Sequence, residues 1–76
     1  MIHDSANVSP LAHVDASAHL GAGVVVEAFA FVGPNVYVGE GTWIGPNATL
    51  LGNTTVGRDC KFFPSCVVGA DSQDLK

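Results

Sequence analysis

Every sixth residue of this chain, from Ile2 to Val68, is a large apolar one. Starting at Ile2 the series reads Ile2, Val8, Val14, Leu20, Val26, Val32, Val38, Ile44, Leu50, Val56, Phe62 and Val68. A second column stands four residues after each of these. It reads Ala6, Ala12, Ala18, Val24, Ala30, Val36, Thr42, Ala48, Thr54, Cys60, Cys66 and Ser72, all small or medium-sized. An α-helix would repeat its apolar stripe about every 3.6 residues, and an ordinary half-buried strand about every 2. A period of six fits neither. Period two survives only in short pieces such as Phe29-Ala30-Phe31-Val32, so each unit of six supplies one short strand and one corner.

The corners carry Gly21, Gly33-Pro34, Gly39, Gly45-Pro46, Gly52, Gly57 and Gly69. Glycine accommodates the positive φ of a tight turn, and proline presets one turn position. Three corners close a triangular coil, which stacks residues eighteen apart directly over one another. The expectation is an all-β parallel helix of hexapeptide repeats with about four triangular coils. One interior ladder is then Val14, Val32, Leu50 and Val68, with Ala12, Ala30, Ala48 and Cys66 beside it. Large side chains fill the axis, and small ones sit where the walls crowd together.

The repeat accounts for the composition, which is rich in Val, Ala and Gly and poor in charge. The formal net charge is −4, with Arg58, Lys61 and Lys76 as the only Lys or Arg residues. Nucleic-acid binding needs clustered cations and is not expected. No apolar run approaches a membrane span, and the N-terminus lacks a basic-then-apolar leader pattern, so a soluble cytoplasmic protein is expected. Cys60 and Cys66 are six apart, neither a zinc-ligand spacing nor a redox pair, and read as two small buried side chains. No cofactor or metal is implied by any cluster in the sequence.

The outward positions differ from wall to wall. One wall carries Leu11, His13, Phe29, Phe31, Asn47, Thr49, Ser65 and Val67. A second carries Asn7, Val25, Trp43 and Lys61, and a third His19, Asn35, Tyr37, Asn53, Thr55 and Gln73. Phe29 and Phe31 facing outward along one strand make the first wall a candidate subunit interface, formed by Leu11, Phe29, Phe31 and Val67. A threefold assembly would bury it.

The inward position after Val68 falls on Asp74. A carboxylate cannot point into a dry aliphatic prism without a partner. The β-helix is therefore expected over 1–73, with 74–76 beginning an external loop. Lacking a sequence that would cap the last coil, the chain reads as truncated.

Several segments carry a family resemblance. They are Met1-Ile2-His3, the run from Val32-Gly33-Pro34-Asn35-Val36 to Val38-Gly39-Glu40-Gly41-Thr42, and Gly52-Asn53-Thr54-Thr55-Val56-Gly57. The most specific is Val68-Gly69 followed after three residues by Gln73-Asp74-Leu75-Lys76. Together they resemble the amino-terminal coils of the UDP-N-acetylglucosamine O-acyltransferases. The resemblance runs the whole chain but only about the first quarter to third of a family member. It implies a left-handed coil, against the usual crossover rule. It also implies a homotrimer that moves a 3-hydroxyacyl chain from acyl carrier protein to the 3-hydroxyl of UDP-N-acetylglucosamine, the first step of lipid A synthesis. By the same resemblance Gln73, Asp74 and Lys76 bind the nucleotide sugar. No catalytic residue is carried over, because the family's general-base histidine lies on a later coil. His3 at a corner and His13 and His19 on neighbouring walls read as surface residues. The 76-residue chain is accordingly expected to be inactive alone.

Two other functions compete. A non-catalytic, self-assembling β-helix module would use the apolar wall and an exposed end. A trimeric zinc enzyme of the carbonic anhydrase type needs histidines converging on one ion, and His13 and His19 lie on different walls.

Overall fold

A computed structural model describes residues 2–69. Gln73, Asp74 and Lys76, and with them the break in the repeat at Asp74, lie outside the described residues. Eleven strands of two residues follow at intervals of six. They are β1 (Asn7–Val8), β2 (His13–Val14), β3 (His19–Leu20), β4 (Val25–Val26), β5 (Phe31–Val32), β6 (Tyr37–Val38), β7 (Trp43–Ile44), β8 (Thr49–Leu50), β9 (Thr55–Val56), β10 (Lys61–Phe62) and β11 (Val67–Val68). The second residue of every strand is the inward member of the six-residue series, so the periodicity alone fixes where each strand falls.

The strands form three parallel sheets, one per wall. They run β1-β4-β7-β10, β2-β5-β8-β11 and β3-β6-β9, and Ile2 bridges Leu20 at the foot of the third. Every register is eighteen residues, as in Phe31 opposite Thr49 and Tyr37 opposite Thr55. The fold is the left-handed parallel β-helix of hexapeptide repeats, and the described strands complete between three and four turns where about four coils were expected.

Burial follows the two columns. Leu20, Val26, Val32, Val38, Ile44, Leu50 and Val56 are buried, with Ala18, Val24, Ala30, Val36 and Ala48 beside them. Val8, Val14, Phe62 and Val68, in the first and last coils, are half-buried against this cluster. Thr42 is the buried polar member of the second column. Its hydroxyl donates to the Gly57 carbonyl at 2.9 Å and accepts the Cys60 N–H at 3.2 Å, so nothing polar is left unpaired. Cys60 and Cys66 are free thiols, half-buried rather than fully buried, because they belong to the last coil.

The corners differ from the sequence expectation. From the second coil upward, the left-handed backbone conformation falls one or two residues after the expected glycines. Phe29, Asn35, Asn47, Asn53, Asp59 and Ser65 have φ between 56° and 65°, and Gly23 and Gly41 share the position. Of the seven glycines assigned a positive φ from sequence, only Gly69 has one. Gly21, Gly33, Gly39, Gly45 and Gly52 instead serve coil-to-coil contact, and Gly57 has room for a side chain. A Cβ on Gly39 would stand 2.7 Å from the Arg58 nitrogen, and one on Gly45 would stand 2.6 Å from the Phe62 carbonyl oxygen. Asparagine suits the left-handed position because its short polar side chain tolerates it, whereas an aromatic residue is strained there.

Candidate functional site

The described residues offer two surfaces with functional character. The first is the wall of β2, β5, β8 and β11 with the corner that leads into it. Leu11 and Phe29 stack at that corner, and Phe31 follows on β5. Leu11 is 61% exposed, Phe29 63% and Phe31 38%. His13 lies beneath Phe31 in the ladder, its ring stacked on the phenyl at 5.0 Å and 8°. These residues form one apolar patch on the lower two coils. Val67 is 62% exposed but stands apart, with Thr49 between it and Phe31 on the same sheet. Three of the four residues expected at an interface are thus brought together, and Val67 is not.

Phe29 is a corner residue rather than a strand residue, which corrects its expected place beside Phe31 on one strand. Its φ of 63° puts a bulky aromatic in a conformation that costs on the order of 1–2 kcal/mol for an L-residue. The ring recovers nothing from the core, since most of it faces solvent. Strain at an exposed apolar residue has no stabilising return within the single chain, and points to a role outside it.

The second surface is the wall of β3, β6 and β9. His19 and Tyr37 stack at 4.4 Å with their planes 3° apart, following the His19–Tyr37 register of the sheet. With His3 they line a cavity of about 310 Å³ whose floor includes Leu20, Val38 and Gly39. In sequence the next position up this wall after Thr55 is Gln73, outside the described residues.

On the wall of β1, β4, β7 and β10, the indole Nε1–H of Trp43 donates to Glu27 Oε2 at 2.8 Å. The pair satisfies a half-buried indole nitrogen that would otherwise lack a partner. Lys61 and Phe63 sit above it around a shallow cavity of about 470 Å³.

All three histidines are on the outside. None donates to a carboxylate, which a general base held in one tautomer would do. Among the described residues no group of three or more His, Cys, Asp or Glu side chains is placed to hold a metal ion.

Sequence reasoning missed the side chains that replace backbone in the first coil. Asp15 Oδ2 accepts the Ser17 amide at 2.9 Å and the Ser17 hydroxyl at 2.6 Å. The Ser17 hydroxyl in turn accepts the Asn35 N–H at 2.9 Å. The hydrogen bonds from the Ser17 hydroxyl and amide hold the Asp15 carboxyl below the usual carboxylate range. His3, Ser5 and Gly23 repeat the arrangement at another corner. At the third, the Leu11 N–H donates to Ser9 Oγ at 3.2 Å. Higher up, the same donors find carbonyls instead: Gly41 N–H on the Ala22 oxygen, Asn53 N–H on the Pro34 oxygen, Asp59 N–H on the Glu40 oxygen. A signal for this was present. Ser9 and Asp15 stand where later coils have Gly33, Gly39 and Gly45, and both are residues that bond the amide two positions on.

A parallel β-helix with an aliphatic axis and two-residue strands is an architecture that hexapeptide repeats build. Residues 35–70 match the family model described as bacterial transferase hexapeptide (six repeats), just under half of the chain. The match supports a β-helix module of the hexapeptide acyltransferase type. No curated protein matches the chain. Among the described residues no helix is long and apolar enough to cross a membrane.

Proposed function

We propose that this chain is the amino-terminal β-helix of an acyl carrier protein-dependent UDP-N-acetylglucosamine O-acyltransferase, acting in the cytoplasm in lipid A synthesis. The observation that carries the reading is the transferase hexapeptide match over residues 35–70, followed in the sequence by Gln73-Asp74-Leu75-Lys76. Chemically, the carboxylate of Asp74 would accept sugar hydroxyl protons, the Gln73 amide would donate and accept, and the Lys76 ammonium would meet the diphosphate. In this reading the 76 residues supply sugar-nucleotide contacts and part of a subunit interface.

The assembly is a homotrimer that buries Leu11, Phe29 and Phe31. Support comes from the exposure of all three and from the strained conformation of Phe29. Val67, remote from that patch, contributes at most at the margin.

The test is titration of the chain with UDP-N-acetylglucosamine, followed by calorimetry, with Asp74→Ala and Lys76→Ala beside the wild type. Saturable binding by the wild type, weakened at least about tenfold in each variant, is expected. Equal binding by wild type and variants, or none by an assembled trimer, overturns the assignment of Gln73, Asp74 and Lys76. Filaments in the electron microscope, with no nucleotide-sugar binding, would favour a purely structural module.

A further inference from the structure

We propose, resting on the threefold assembly described above, that its subunits meet corner to wall: the Leu11 and Phe29 corner of one chain sits on the stacked His13 and Phe31 rings of the next. A closed threefold ring is built from heterologous contacts, in which one patch on each subunit meets a second, different patch on its neighbour. A single apolar patch therefore has to contain both surfaces or leave the ring half-specified.

The shape of the prism limits the choice. Seen from the centre of one subunit in a threefold ring, the two neighbours lie about 60° apart. A corner of a triangular prism and the middle of an adjoining wall are also about 60° apart, whereas two walls are about 120° apart, so corner against wall closes the ring.

The three corners of this prism are unlike. Stacked eighteen residues apart, one carries Ser5, Gly23, Gly41 and Asp59, and another Ser17, Asn35 and Asn53. The third carries Leu11 and Phe29 in the lower coils, both more than half exposed, and then Asn47 and Ser65. Large apolar side chains thus protrude at one corner alone among the described residues.

That corner adjoins two walls. On the wall of β2 and β5 its neighbours are His13 and Phe31, whose rings stack 5.0 Å apart into a flat platform. Leu11 and His13 share one coil and Phe29 and Phe31 the next, so knob and platform stand at the same level, as a ring axis parallel to the prism requires. On the wall of β1 and β4 the same coils present Asn7 and a half-buried Val25. The rings are the better seat for a phenyl group, because aromatic pairs gain from offset or edge-on contact beyond the area they bury. The contact also gives the strained, outward-facing Phe29 the return that its own subunit lacks. It adds His13 to the interface.

The experiment puts the photoreactive residue benzoylphenylalanine in place of Phe29 in the full chain. Isotope-labelled and unlabelled chains are mixed, irradiated and mapped by mass spectrometry, and the solution mass of the wild type and of each variant is taken alongside. Most interchain product should fall on the peptides holding His13 and Phe31, with covalent trimers on a denaturing gel. A reciprocal variant, with the photoreactive residue in place of Phe31, should link to Leu11 or Phe29 of another chain, and decides the matter if the first variant does not assemble. A trimeric mass with the links mainly on Val25 or Trp43, or with no interchain link from either position, would overturn the pairing and leave the threefold assembly standing. A monomeric wild type would overturn the assembly, and the pairing with it.

Discussion

The lower and upper halves of the helix solve the same corner in different ways. In the first coil the acceptors for the amides of the coil above include side chains, the hydroxyls of Ser5 and Ser17, held in turn by His3 and Asp15. From the second coil upward the acceptors for the amides of the left-handed residues are backbone carbonyls, made available by corners with a left-handed residue such as Asn35, Asn47 or Asn53, and the Thr42 hydroxyl is a side chain that still takes an amide of the coil above. The transferase hexapeptide match begins at Asn35 and covers only the part built in the second way. The inward columns run unbroken through both halves. The core of a β-helix is thus indifferent to how its corners are closed, while the corners decide how regular the repeat looks. The irregular half is also the one that carries Leu11, Phe29 and Phe31 on its surface.

That comparison can be broken or sharpened by substitution, starting with the core. Leu50→Ala, at a fully buried rung of the upper half, should cost about 2–5 kcal/mol. The matching Val14→Ala in the half-buried first coil should cost visibly less, since it removes less buried surface. Urea denaturation of both variants checks this, and equal losses would mean that the first coil is as tightly packed as the third. Next, Gly39→Ala forces a Cβ to within 2.7 Å of the Arg58 nitrogen, and should cost about 1–3 kcal/mol although φ is ordinary there. If thermal unfolding shows it neutral, coil-to-coil contact is not what selects glycine at this position.

Phe29→Asn should act in opposite directions on the chain and on its assembly. The isolated chain gains about 1 kcal/mol from relieved strain, measured by denaturation under dissociating conditions, while self-association weakens. A variant that is less stable when dissociated would show that Phe29 packs usefully within its own subunit. The smallest effect belongs to Asp15. Its native carboxyl is more acidic than the unfolded one, so its contribution is complete above the ordinary carboxylate range and fades as the pH falls through the lowered native value. Exchange at the Asn35 amide should follow that acid transition in the wild type and lose it in Asp15→Asn.

Much of this architecture was legible in the sequence because the core is a linear code. Ile44, Leu50, Ala48 and even the buried Thr42 fall where a step of six puts them. The corners were harder to read, for two physical reasons. Glycine serves both conformational freedom and close approach, and sequence does not distinguish Gly39, which needs space, from Gly41, which has the positive φ. A turn can also close through a side chain, and Asp15 and Ser17 look like ordinary surface residues until their distances are known. Phe29 was recognised as exposed, but its strain was missed because it was read as a strand neighbour of Phe31, although a step of six puts it in line with Gly23, Asn35, Gly41 and Asn47. Gln73, Asp74 and Lys76 remain assignments by resemblance, outside the described residues.

Solution mass by light scattering, for the wild type and for Phe31→Ser, tests most directly whether the exposed apolar patch joins subunits. The account predicts a threefold multiple of the 7.8 kDa chain for the wild type and a single chain for the variant, with the helix fold retained by circular dichroism. A wild type that is monomeric, or a variant that keeps the wild-type mass, would contradict it.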